Sequence, residues 1–211
     1  MYGVEYRPLR LAVVGDSLAY GTGAARPDDT LGARMARVLD RAGHTVEVHV
    51  VAVPGTTSLE LAAQVRETLT LDADIALVVV GANDLARLVP PARSASALAA
   101  AVEALRGAGL GVVVAPAPDL SCLPGVPAAA RPALRTACED LQQRQAGAAE
   151  SAGAVVAPIA HQLADAFASD SDLFSGDRFH PSSAGYARIA AALAPHIVMA
   201  AREADMRHAT A

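Results

Sequence analysis

The apolar runs of this 211-residue chain predict an α/β fold, a parallel β-sheet with helices covering both of its faces. Three observations carry that expectation. Short runs of strand-prone residues alternate with segments whose apolar positions recur at helical spacing. The runs are apolar along their whole length instead of alternating, as a strand covered on both faces requires. Each of the first three also stops at a glycine or a Pro-Gly pair before a polar stretch. Loops of that kind lie beyond the carboxyl ends of parallel strands, where such sheets place their binding sites.

In chain order, residues 9–14 (LRLAVV) form the first strand, ending at Gly15. A polar, Gly-rich stretch runs to Asp29, and Leu31, Met35, Val38 and Leu39 then share a helix face with Gly43 as the stop. Residues 46–53 are the second strand, ended by Pro54-Gly55. Leu59, Leu61, Ala62, Val65 and Leu69 fit a helix capped by Thr57 or Ser58. Residues 75–80 make the third strand, residues 94–106 a helix, and residues 111–115 the fourth strand. The Pro-rich stretch 116–132 reads as a long loop, a length that often marks function. A helix over 133–152, a short strand over 154–157 and a last helix over about 181–201 complete the pattern. Tyr186, Ile189, Leu193 and Ile197 lie on one face of that last helix. The expectation is a single domain over 1–211, with its core within 9–200 and a frayed tail over 202–211.

Apolar residues make up 53% of the chain and charged residues 18%, which excludes a disordered chain. There is no lysine, the net charge is −5 and no basic run occurs, so a nucleic-acid partner is not expected. The first eight residues lack a charged-then-apolar leader, and no stretch reads as membrane-spanning, so the expected location is cytoplasmic. Cys138 shares a helical face with Leu134 and Leu141, so Cys122 and Cys138 read as buried apolar thiols. Their spacing suits no metal site, and no metal or organic cofactor is expected.

Four segments carry chemistry. Gly15-Asp16-Ser17-Leu18 follows the first strand, where a tight strand-to-helix turn exposes a serine hydroxyl. It differs from the G-x-S-x-G elbow, since Asp16 precedes the serine and Ala19 stands at the second glycine position. Pro54-Gly55-Thr56-Thr57 follows the second strand, and its glycine lets the backbone N–H approach a substrate. Gly81-Ala82-Asn83-Asp84 follows the third, and the Asn83 amide offers an oxyanion a donor that does not titrate. Asp177-Arg178-Phe179-His180-Pro181 precedes the last helix, with a carboxylate three residues before a histidine that it can orient. Taken singly, each is equally an ordinary turn or helix cap. His44, His49, His161, His196 and His208 have no such acidic partner in a pre-helical turn and read as surface or core histidines.

Together the four blocks, in this order, resemble the GDSL or SGNH hydrolases over about residues 9–200. The resemblance implies a three-layer α/β/α, flavodoxin-like fold with a five-stranded parallel sheet. It also implies Ser17 as nucleophile, His180 as base and Asp177 as the acid that orients it. The oxyanion donors would be the Ser17 and Gly55 N–H groups and the Asn83 side chain. One departure is that Ala52-Val53-Pro54 stands where the family often has an asparagine shortly before the glycine. The expected reaction is hydrolysis of a small carboxylic ester or thioester through an acyl-Ser17 intermediate. An acyltransferase or O-deacetylase using the same residues is the alternative within enzymes, and a non-catalytic binding domain the alternative outside them. The loop 116–132, with Leu120, Leu123 and Val126, is expected to line the acyl or leaving-group pocket. The oligomeric state is not readable from the sequence.

Overall fold

The computed structural model describes residues 7–209. Residues 1–6, on which most of the reading against a leader falls, and residues 210–211 lie outside the described residues. The strands are β1 (Leu9–Gly15), β2 (Val46–Val50), β3 (Ile75–Val79), β4 (Gly111–Ala115) and β5 (Val155–Val156). All are parallel and lie in the order β2-β1-β3-β4-β5. The helices are α1 (Ser17–Tyr20), α2 (Leu31–Arg41), α3 (Leu61–Thr68), α4 (Ala82–Ala86), α5 (Pro91–Gly107), α6 (Arg131–Ser151), α7 (Ile159–Ser169) and α8 (Ser183–Ala209).

Side chains alternate across a strand, so one strand feeds two cores. Leu9, Leu11, Val13, Ile75, Leu77, Val79, Val113 and Ala115 pack with Leu31, Met35 and Leu39 of α2, Phe167 of α7 and Tyr186, Leu193 and Ile197 of α8. Ala12, Val14, Ala76, Val78, Val112 and Val114 face the other way, onto Leu61 and Val65 of α3, Leu98, Val102 and Leu105 of α5 and Ala149 of α6. This is the expected α/β/α sandwich of a five-stranded parallel sheet. The chain runs from β1 out to β2 and back past β1 to β3, so the connections diverge between β1 and β3. The crevice at that switch point is where such folds bind ligands.

Three expectations need correction. The second strand ends at Val50, not 53, and is not buried throughout: it is the sheet edge, and Val50 is 45% exposed. Residues 202–209 are not frayed, since α8 runs on to Ala209 and buries Ala204 against the sheet core. The expectation that no segment could span a membrane also fails by length and composition. Ser183–His208, with mean hydropathy 1.2, is long and apolar enough to do so. In the fold, however, this helix lays one face on the sheet, with Tyr186, Leu193 and Ile197 fully buried. Cys122 and Cys138 are buried free thiols, as expected.

Candidate active site

Ser17 stands at the first position of α1, directly beyond β1. The turn is tight because Gly15 has φ +137° and its Cα lies against β3, where a Cβ would overlap the Val79 carbonyl. Only glycine fits there. Asp16 then caps α1, its Oδ1 accepting the Leu18 N–H at 2.9 Å. From the α3 side, Gln64 clasps the same turn. Its Oε1 accepts the Gly15 N–H at 2.7 Å and its Nε2 donates to the Gly15 carbonyl at 2.9 Å.

His180 comes from a tight turn between α7 and α8, closed by an antiparallel bridge between Phe174 and Pro181. The Ser175 N–H donates to the His180 carbonyl at 2.8 Å, and Arg178 takes the left-handed conformation at φ +59°. Asp177 organises the interior of this turn. Its Oδ1 accepts the Ser175 hydroxyl at 2.7 Å and the N–H groups of Phe179 and His180, each at 2.9 Å. Its Oδ2 faces His180 Nδ1 at 2.6 Å. Burial opposes ionisation of Asp177. The bonds from the His180 ring, the Phe179 N–H, the Ser175 hydroxyl and the His180 N–H outweigh it and hold the carboxyl well below its ordinary value. A carboxylate that stays ionised keeps the ring proton on Nδ1, which leaves Nε2 free to accept. Nε2 lies 2.9 Å from Ser17 Oγ. The two residues are 163 positions apart, and three further bonds hold their elements in register. Tyr186 donates its hydroxyl to the Thr22 carbonyl at 2.8 Å, Ala25 its N–H to Ser183 Oγ at 3.0 Å, and Arg34 its guanidinium to the Ser183 carbonyl at 2.8 Å.

Gly55 and Asn83 lie beyond the carboxyl ends of β2 and β3, the two strands that flank β1. Gly55 has φ +86° and lies in the loop after β2, and Asn83 lies in α4, just beyond β3. Asn83 Nδ2 donates to the Thr56 carbonyl at 3.0 Å, so one amide proton fixes the glycine loop and the second remains. Beneath them, buried Asp84 accepts the Ser58 N–H through both oxygens, at 3.2 and 3.0 Å. The fold thus gathers all five residues singled out in the sequence (Ser17, Gly55, Asn83, Asp177 and His180) at one end of the sheet. A hydroxyl facing a carboxylate-oriented imidazole can be deprotonated during attack on a carbonyl.

Residues 13–188 match the GDSL-like lipase/acylhydrolase family. The chain belongs to that family. It is also 35% identical over 183 residues to a GDSL-like esterase of Mycobacterium tuberculosis, a match covering 85% of this chain and 58% of that protein. The chain therefore spans under two thirds of that relative's length. Among solved structures, TesA superposes with a TM-score of 0.73 at 20% identity, covering 88% of this chain and 96% of that one. A catalytic mutant of an acetylxylan esterase from Geobacillus stearothermophilus gives 0.73 at 17% identity, covering 90% and 94%. At these identities the structures show the shared fold.

Around the GDSL-family residues the fold places supports that sequence reading did not single out. Gln64 is one. Another is Gln145 of α6, whose Oε1 accepts the Ala117 N–H at 2.8 Å while its Nε2 reaches Ser94 Oγ at 3.1 Å and Ser58 Oγ at 3.3 Å. Both are polar residues on otherwise apolar helix faces, which is the signal that could have found them. An apolar cavity opens beside Ser17 and His180, lined in part by Leu120 and Leu123 of the expected loop but not by Val126. Its other wall is α7, which the sequence reading passed over although Ile159, Leu163 and Phe167 recur every fourth residue. Burial pushes the thiol of Cys122, also in the wall, up to about 11, so it is a packing group and not a nucleophile. Among the described residues, no group of three or more His, Cys, Asp or Glu side chains could hold a metal ion.

Proposed function

We propose that this protein is a serine esterase, hydrolysing carboxylic esters or thioesters of small acyl substrates through an acyl-Ser17 intermediate. The observation that supports the reading best is the continuous line from Asp177 Oδ2 to His180 Nδ1 at 2.6 Å and from His180 Nε2 to Ser17 Oγ at 2.9 Å. As Ser17 Oγ bonds to the carbonyl carbon, His180 Nε2 takes the hydroxyl proton. The negative oxygen faces the Ser17 and Gly55 N–H groups and the free proton of the Asn83 amide. When the carbon–oxygen or carbon–sulfur bond breaks, His180 returns the proton to the departing alcohol or thiol. Water then enters, gives a proton to His180 and adds its oxygen to the acyl carbon. Collapse of that second adduct frees the acid and restores the Ser17 hydroxyl. Asp177 stays ionised throughout and stabilises the imidazolium that forms twice per turnover.

Labelling by a fluorophosphonate tests the reading. The wild-type protein takes up one label and loses esterase activity with it, whereas Ser17→Ala takes up none. A folded wild-type protein that is never labelled contradicts it and favours a binding domain.

A further inference from the structure

The cavity beside Ser17 has a composition that selects among esters. Of its lining groups only Ser17, His180 and Asp119 are polar, and Asp119 spends its Oδ1 on the Ser121 N–H at 2.8 Å. A sugar placed there would bury hydroxyls without partners, which is costly. Along one wall α7 presents Ile159, Leu163 and Phe167, an apolar stripe about 12 Å long at 1.5 Å rise per residue. The rings of Phe167 and Phe174 meet edge to face at 5.2 Å and add an aromatic section to the lining. The cavity measures about 90 Å³, several times the roughly 10–15 Å³ that a single water needs, so it has room for a chain of several carbons.

We infer that this cavity holds the acyl half of the substrate, an unbranched apolar chain several carbons long. The inference rests on the esterase reading of Ser17 and adds the substrate class to it. The acyl half is the one that stays on Ser17 while the other departs and water replaces it at His180. A recess walled by helix and loop suits the half that stays. The departing half needs the open side, where Val53 is 53% exposed beside Gly55 and the Arg87 side chain is 56% exposed. An acetyl group would leave most of the apolar wall unfilled.

Two ester series read this directly in the intact protein. With p-nitrophenyl esters from acetate to palmitate, kcat/KM rises up to about fourfold per methylene buried, peaks beyond butyrate and then falls. With acetate esters of ethanol through octanol, kcat/KM stays nearly flat. Ala164→Phe, which fills the α7 wall, lowers the octanoate-to-butyrate ratio at least tenfold, and Ala160→Leu is the milder variant should the first fail to fold. A steady decline from acetate, a rise only in the alcohol series, or an unchanged ratio in both variants overturns the inference. If fluorophosphonate still labels Ser17 in that event, the esterase reading survives and only the chain-length inference falls. Without labelling, both fall.

Discussion

Asp16 lies one residue before Ser17 with its side chain buried, and burial pushes its carboxyl up from 3.8 to about 6. The negative charge of Asp84 adds to the rise, while the N–H groups of Leu18 and Gly81 and the charge of His180 oppose it. The folded protein therefore holds this proton more tightly than the unfolded chain does. The resulting stabilisation is complete below about pH 4 and is lost as pH rises through about 6. Asp16→Asn keeps an acceptor for the Leu18 N–H and removes the charge. Thermal melts should show the variant gaining on wild type by several degrees between pH 4 and 7. Parallel melting curves across that range would contradict the assignment. Asp177, two residues from solvent-exposed Phe179, has the opposite environment, and its several donors keep it charged where Asp16 is not.

The elements succeed or fail at the ends of strands. Gln64 of α3 accepts the Gly15 N–H, so Gln64→Leu leaves that buried donor unmet, at about 1–3 kcal/mol, while the Gly15 carbonyl keeps the Val53 N–H. The expected fall in Tm is about 2–12 °C for a chain of this size. A change within about a degree would show that the clasp is not needed. What the sequence disclosed follows the same division. Apolar strand runs and post-strand Gly, Asn and Ser were legible because strand burial and turn geometry leave local marks. Residues such as Gln64 and Gln145 were not, because their partners lie 49 and 28 positions away. Helix α7 shows a further loss: its periodic stripe is short, lies after a two-residue strand and begins after Pro158, so no start signal set it apart.

Across the whole molecule, α8 links the sheet's far end to the site. Its first residue, Ser183, is held by Ala25 and Arg34, and its last turn reaches Asp74 below β3, with His208 Nε2 3.0 Å from Asp74 Oδ1. The end of the chain was read as loose because Ala-rich, Arg-bearing residues carry little apolar signal, yet alanine is the residue that lets a helix lie close to a sheet. Deleting residues 202–211 removes Ala204 from the core and uncovers Ala200 and Ala201. A loss of about 1–3 kcal/mol, seen as a lower Tm, is expected. An unchanged melt would return the tail to the frayed state the sequence suggested. The family's fold, the layer order and the convergence of the four blocks were all legible from sequence. The direction of the acyl cavity was not, since it depends on how α7 crosses the loop after β4.

The most direct test is to catch the intermediate. Wild-type protein mixed with p-nitrophenyl hexanoate and quenched in acid within a turnover should yield one hexanoyl group, located by peptide mass spectrometry on Ser17. Ser17→Ala should give neither adduct nor turnover. An adduct on another residue, or Ser17→Ala hydrolysing the ester at the wild-type rate, would contradict the account.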